Sequence, residues 1–228
     1  MWRKTTRRII LLGAVTIAAA AIVTSLALQE IRHQAEASIA DSLTALADST
    51  VESHHMWIEQ QLKALKLLAN NQSIRQPAFE LLDNPDSDVA LARLRQMFEK
   101  YLKAYSIHDF MLLTPSQYNL ASFDDKAIGQ IRTGGSDWQR GIAQAMQGKA
   151  VFLATAALRI QSKDTVYDYE PRKTKVMLAP VLHQSGELKA LLVVRLRPSG
   201  YFNKITRLGR LGESGETYVF NRQAIMIS

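Results

Sequence analysis

The run from Ile9 to Leu28, IILLGAVTIAAAAIVTSLAL, contains no charged residue, and it follows a basic opening in which Arg3, Lys4, Arg7 and Arg8 stand close together. About 20 residues at about 1.5 Å each span roughly 30 Å, the thickness of a bilayer hydrocarbon core. Lipid offers no partners to backbone N–H and C=O groups, so such a run is predicted to be a helix. Thr16, Thr24 and Ser25 are tolerated because their hydroxyls bond back to the preceding turn. The basic segment 1–8 predicts an N-terminus on the cytoplasmic side, a transmembrane helix over 9–28, and everything later outside the cytoplasmic (inner) membrane. A cleaved signal peptide is the alternative; an uncleaved anchor is favoured because a usual signal core is only about 7–15 residues long.

Composition sets the remaining bounds. The 228 residues carry a net charge of +7 and no cysteine. Taking the four basic residues of the opening from +7 leaves +3, too little for a nucleic-acid footprint. Without cysteine there are no thiolate zinc sites, iron–sulfur clusters or cysteine nucleophiles. The five histidines show no HExxH or comparable ligand spacing. The adjacent pair His54-His55 points to different helix faces and reads as exposed. No phosphate-binding GxxxxGK[ST] and no nucleophile elbow occurs. Asp124-Asp125 reads as a solvated turn. No metal site, no cofactor and no catalytic residue is expected, and the chain itself is not expected to be an enzyme.

From Glu30 to Asn70 there is neither proline nor glycine, and Ile31, Ala35, Ile39, Leu43, Leu46, Val51, Ile58, Leu62, Leu65 and Ala69 recur at steps of mostly three and four. This predicts one long juxtamembrane helix over 30–70, ended by Asn70-Asn71 and the Pro77 region. A helix that long needs a partner along its stripe, either a packed domain or the same helix of a second chain, hence a homodimer.

After Pro77 the pattern is helical to Tyr105, with a turn at Asp83-Asn84-Pro85-Asp86. The period then changes. Phe110–Leu113 and Leu120–Phe123 read as strands around a turn. Asp137 is expected to cap a short helix carrying Trp138 and Ile142 and stopping at Gly148. Val151–Leu153 reads as a third strand and Gln161–Thr174 as a polar loop. Val176–Leu182 and Leu188–Leu196 form a hairpin around His183–Glu187, and Pro198-Ser199 opens a helix through Ile205. Hairpin-joined strands with helices on one side predict an α+β fold with an antiparallel sheet.

This order resembles the extracytoplasmic Cache (PAS-like) sensor domains of bacterial membrane receptors. The resemblance rests on the anchor, the long helix, the strand–turn–strand, the Trp-bearing helix and the hairpin strands. Its most specific part is Gly212 to Arg222, GESGETYVFNR, which looks like the opening of a second lobe, with Thr217–Phe220 as a strand and Ile225–Ile227 beginning the next. The resemblance implies a membrane-distal lobe over 71–205 and the start of a membrane-proximal lobe over 206–228, as in a double-Cache region cut off early. The chain is expected to be a fragment of a receptor, or an interrupted reading frame, with the output, a histidine kinase, cyclase, other kinase, phosphatase or chemotaxis module, lying elsewhere.

The family binds small molecules against the sheet, beneath the helix and the long loop. The matching positions are Trp138 and Arg140 on the short helix and Tyr167, Asp168 and Tyr169 in the loop. Amino-acid-sensing members carry an Arg-x-Trp-Tyr element and an acidic residue near the end of the last strand. Here Asp137-Trp138-Gln139-Arg140 lacks that spacing, and Arg195 stands where the acid is expected. An ammonium group would meet like charge, so the expected ligand is an organic anion countered by Arg140 or Arg195. Two other readings compete: a membrane-anchored periplasmic structural or interaction protein without a small-molecule ligand, and a secreted enzyme behind a signal peptide.

Overall fold

The structure is a computed structural model that describes residues 2–104, 107–156, 158–161, 166–167, 174–196, 201–208, 216–220 and 226. Contacts divide the chain into two units, residues 1–49 and 50–228.

The first unit is helical. Helix α1 is continuous over Trp2–Ala69. Thr16 and Thr24 donate to the carbonyls of Gly13 and Ala20, so these hydroxyls are absorbed by the helix itself. Ile17, Ile22, Val23, Leu26, Leu28, Ile31, Ile39 and Leu43 are all exposed. Among the described residues, no helix is long and apolar enough to cross a membrane. The side chains before Gly13 lie outside those described.

The second unit begins with the last turns of α1. Asn71, two residues after α1 ends, caps α2 (Gln72–Asp83), its side chain accepting from the Ser73 amide at 2.9 Å. Pro77 is therefore inside α2 and buried; it does not end the long helix. The turn at Asn84 leads to α3 (Asp88–Ala104), where the Ser87 hydroxyl accepts from the amide of Ala90 and donates to Glu80.

The strands follow: β1 (Ile107–Leu113), β2 (Asn119–Ser122) and β3 (Ile131–Gly134), then α4 (Ser136–Met146). After it come β4 (Val151–Ala156), β5 (Leu158–Gln161), β6 (Val166–Tyr167), β7 (Thr174–Leu182), β8 (Leu188–Leu196) and α5 (Tyr201–Leu208). The main sheet is five-stranded in the order β2-β1-β8-β7-β4, and a three-stranded sheet runs β3-β5-β6. All the pairings are antiparallel.

The central strands are apolar on both faces because both faces are covered. On one face Phe110, Leu112, Met177, Ala179, Leu192 and Val194 meet the end of α1, α2 and α3. Phe98 stacks on Phe110 at 4.2 Å between ring centres, and Phe123 meets the same ring edge-on at 4.9 Å. On the other face Met111, Leu113, Val176, Leu178, Leu191 and Val193 meet Trp138, Ile142 and Ala145 of α4. Helices therefore flank both sides of the sheet, where one side was expected.

Several expectations change in detail. Strands β3, β5 and β6 are additional, so the expected loop from Gln161 contains a short paired strand. Gly135, not Asp137, caps α4, with no side-chain cap bond; Asp137 sits in the first turn and pairs with Arg140. His54 is buried, 5% exposed, and shares a hydrogen bond of 3.1 Å with Thr206 of α5. Residues 216–219 form no strand, and Phe220 makes a single antiparallel bridge to Met226. Pro198-Ser199, the paired glycines Gly212 and Gly215, Ile225 and Ile227 lie outside the described residues.

Candidate functional site

The expected site lies on the sheet face covered by α4. Alternation along β8 puts Arg195 on the same face as Leu191 and Val193. Register sets it opposite Asp109 of β1 on one side and Val176 of β7 on the other. Arg195 Nη2 lies 3.2 Å from Asp109 Oδ2, and the two side chains are 19% and 9% exposed. Asp109 also accepts from the Phe110 amide at 2.8 Å and, more weakly, from the Ser122 hydroxyl and the Phe123 amide. The Arg195 Nε is buried and makes no hydrogen bond among the described residues. A guanidinium has five N–H donors in a fixed fork, so this arrangement leaves donor capacity beyond the Asp109 contact.

Trp138 stands on α4 over the same face and is fully buried. Its Nε1–H donates to Gln117 Oε1 at 2.8 Å. Gln117 has a positive φ of 67°, and its carbonyl accepts from the Arg132 amide, so the β1–β2 turn, β3 and α4 are tied together here. The Trp138 ring thus fills core and has no exposed surface to offer a ligand. Arg140 points away from this core: its side chain is 65% exposed and pairs with Asp137. Gly141 lets α4 approach β4, since a Cβ there would stand 2.9 Å from a Leu153 methyl.

Tyr167 belongs to β6, paired with Ile160 of β5, and β5 pairs with β3 beside α4. Its side chain, and all of Asp168 and Tyr169, lie outside the described residues. The structure therefore brings Trp138 and Arg195 to one face and leaves Arg140 at the surface. It adds Asp109 and Gln117, which sequence reasoning missed. An aspartate inside the apolar run IHDFMLL was the one available signal for Asp109.

No protein-family model matches the chain, and no curated protein does. Solved structures do. A domain of a sensory box/GGDEF family protein from Vibrio parahaemolyticus aligns over 80% of this chain and 68% of its own, at 12% identity and a TM-score of 0.53. The chain shares the fold of that domain. The Escherichia coli DcuS sensor domain aligns over 65% of this chain and 94% of its own, at 14% identity and a TM-score of 0.42. The sensor domain of the Vibrio cholerae histidine kinase DctB aligns over 72% of this chain and 58% of its own, at 14% identity and a TM-score of 0.47. The α+β fold with an antiparallel sheet implied by the Cache resemblance is the fold observed.

Proposed function

We propose that this chain is the membrane-anchored, extracytoplasmic ligand-sensing region of a bacterial signal-transduction receptor. The observation that carries the proposal is the sensor fold shared with the Vibrio parahaemolyticus domain. The organisation proposed is a cytoplasmic segment 1–8, a span at 9–28, a juxtamembrane helix over 30–70, a sensing lobe over 71–205 and the start of a second lobe over 206–228. Support for the anchor comes from the uncharged run behind four basic residues, all inside the continuous α1. The exposed apolar stripe of Ile31, Ile39 and Leu43 supports pairing with a second copy.

The proposed ligand is a small organic anion on the α4 face. Arg195 is its counter-charge through N–H groups not used by Asp109, and Arg140 stands at the rim. Tyr167, Asp168 and Tyr169 are the further ligand contacts proposed, and Trp138 fixes α4 over the sheet. Binding shifts the long helix only to the extent that the ligand prefers one of two states.

A ligand-free interaction protein is the second reading, favoured by one observation: Asp109 already neutralises Arg195. Titration calorimetry of the full chain in lipid nanodiscs, with a panel of mono- and dicarboxylic acids and a panel of primary amines, separates the readings. The proposal expects an acid to bind and Arg195→Met to weaken it at least about tenfold, the loss of a charge-assisted contact. Binding of amines alone contradicts the anion assignment, and binding of neither panel supports the interaction protein.

A further inference from the structure

On the opposite face of the sheet, α1 does not close completely onto the strands. A cavity of about 310 Å³ lies between the last turns of α1, the end of α3 and strands β1, β7 and β8. Leu65, Ile107, Met177 and Val194 form its apolar wall, each of them buried. Gln61, Asn71 and Tyr101 add hydrogen-bonding groups. None of its described lining residues is charged. Leu67, 76% exposed, stands at the mouth.

From this geometry we infer that the cavity is a second ligand site, for a small uncharged molecule with an apolar body and one hydroxyl or amide group. Size and charge select this occupant. Small-molecule sites begin at about 300 Å³, whereas a docking helix is about 10–12 Å across with its side chains and needs a longer trough. A charged ligand would lose its hydration with no counter-charge in the wall, which is costly. Methionine adapts its shape to irregular occupants, and Met177 lies in the wall. An occupant touches α1 between Gln61 and Leu68 directly, so a ligand that prefers one seating of that segment on the sheet shifts the segment toward it. The site is separate from the one under α4, and the fate of either leaves the other untouched.

Photolabelling tests this. The full chain in nanodiscs is irradiated with a diazirine derivative of benzyl alcohol, with unlabelled benzyl alcohol as competitor and the matching benzoate derivative as charged control. Mass spectrometry locates the adducts. The inference expects competed labelling at Leu68, Tyr101 or Met177, at least fivefold weaker labelling by the benzoate derivative, and a tenfold loss in Ala64→Phe, which fills the cavity. Should Ala64→Phe melt earlier than the parent, Tyr101→Phe takes its place and labelling falls about threefold. Labelling confined to the outer face of α1, or unchanged in the variant that folds, overturns it.

Discussion

Asp109 stands in an apolar strand, 6% exposed, with Arg195 as its charge partner and the Phe110 amide and Ser122 hydroxyl as further donors. Removing one member of a buried pair leaves the other charged and desolvated. Asp109→Ala is therefore predicted to cost about 3–5 kcal/mol in urea denaturation, while Asp109→Leu with Arg195→Met recovers most of that loss. His54 gives a different signature. Burial first, then the charges of Lys175 and His55, hold its pKa below the ordinary 6.5. Burial also lowers the pKa of Lys175. The unfolded chain therefore takes up a proton at His54 at higher pH than the folded chain does. Its contribution is complete above about pH 6.5 and is lost as the pH falls from there through the lowered folded value. Denaturation midpoints between about pH 7.5 and about pH 5.5 should fall, and His54→Gln should flatten the decline. Neither residue's role could be read from the sequence. Thr206 is 152 positions from His54, and the Asp109–Arg195 contact exists only through the register of β1 on β8.

Between elements, two side chains carry much of the assembly. Asn70, just beyond α1, donates to the carbonyls of Lys66 and Pro180 and accepts from the Leu182 amide at 3.0 Å, joining the helix end to β7. Asn70→Ala leaves those strand groups without partners, at a predicted cost of about 1–3 kcal/mol. Trp138 joins α4 to the β1–β2 turn. Trp138→Phe removes the bond to Gln117 for about 1 kcal/mol, while Trp138→Ala empties the core under α4 for about 3–5 kcal/mol; thermal melts followed by near-ultraviolet circular dichroism read both. What was legible at this scale followed local chemistry. The hairpin turn His183–Glu187 has its Gly186 at φ 85°, as a turn glycine should, and the break after Asp83 is where the Asn-Pro pair put it. Strand β3 was hidden because Arg132 is buried and Gly134-Gly135 interrupt any alternation. Both apolar faces of β1, β7 and β8 erased the period that would have told which side α4 covers.

For the whole molecule, the proposed organisation joins a membrane span at 9–28 to a sensing lobe over 71–205. The anchor predicts that the full chain stays with membranes through alkaline carbonate washing, and that Ile17→Lys with Ile22→Lys releases it, since charges within a span are costly. Retention of the double variant on membranes would count against the span. The central claim is that an organic anion is sensed on the α4 face of the sheet. Hydrogen exchange of the full chain in nanodiscs, with and without the tightest-binding acid of the panel, addresses it most directly. The account predicts slower exchange in α4, Ser136–Met146, and at the Arg195 end of β8, with that protection lost in Arg195→Met. Unchanged exchange in both segments while the acid is bound would contradict it.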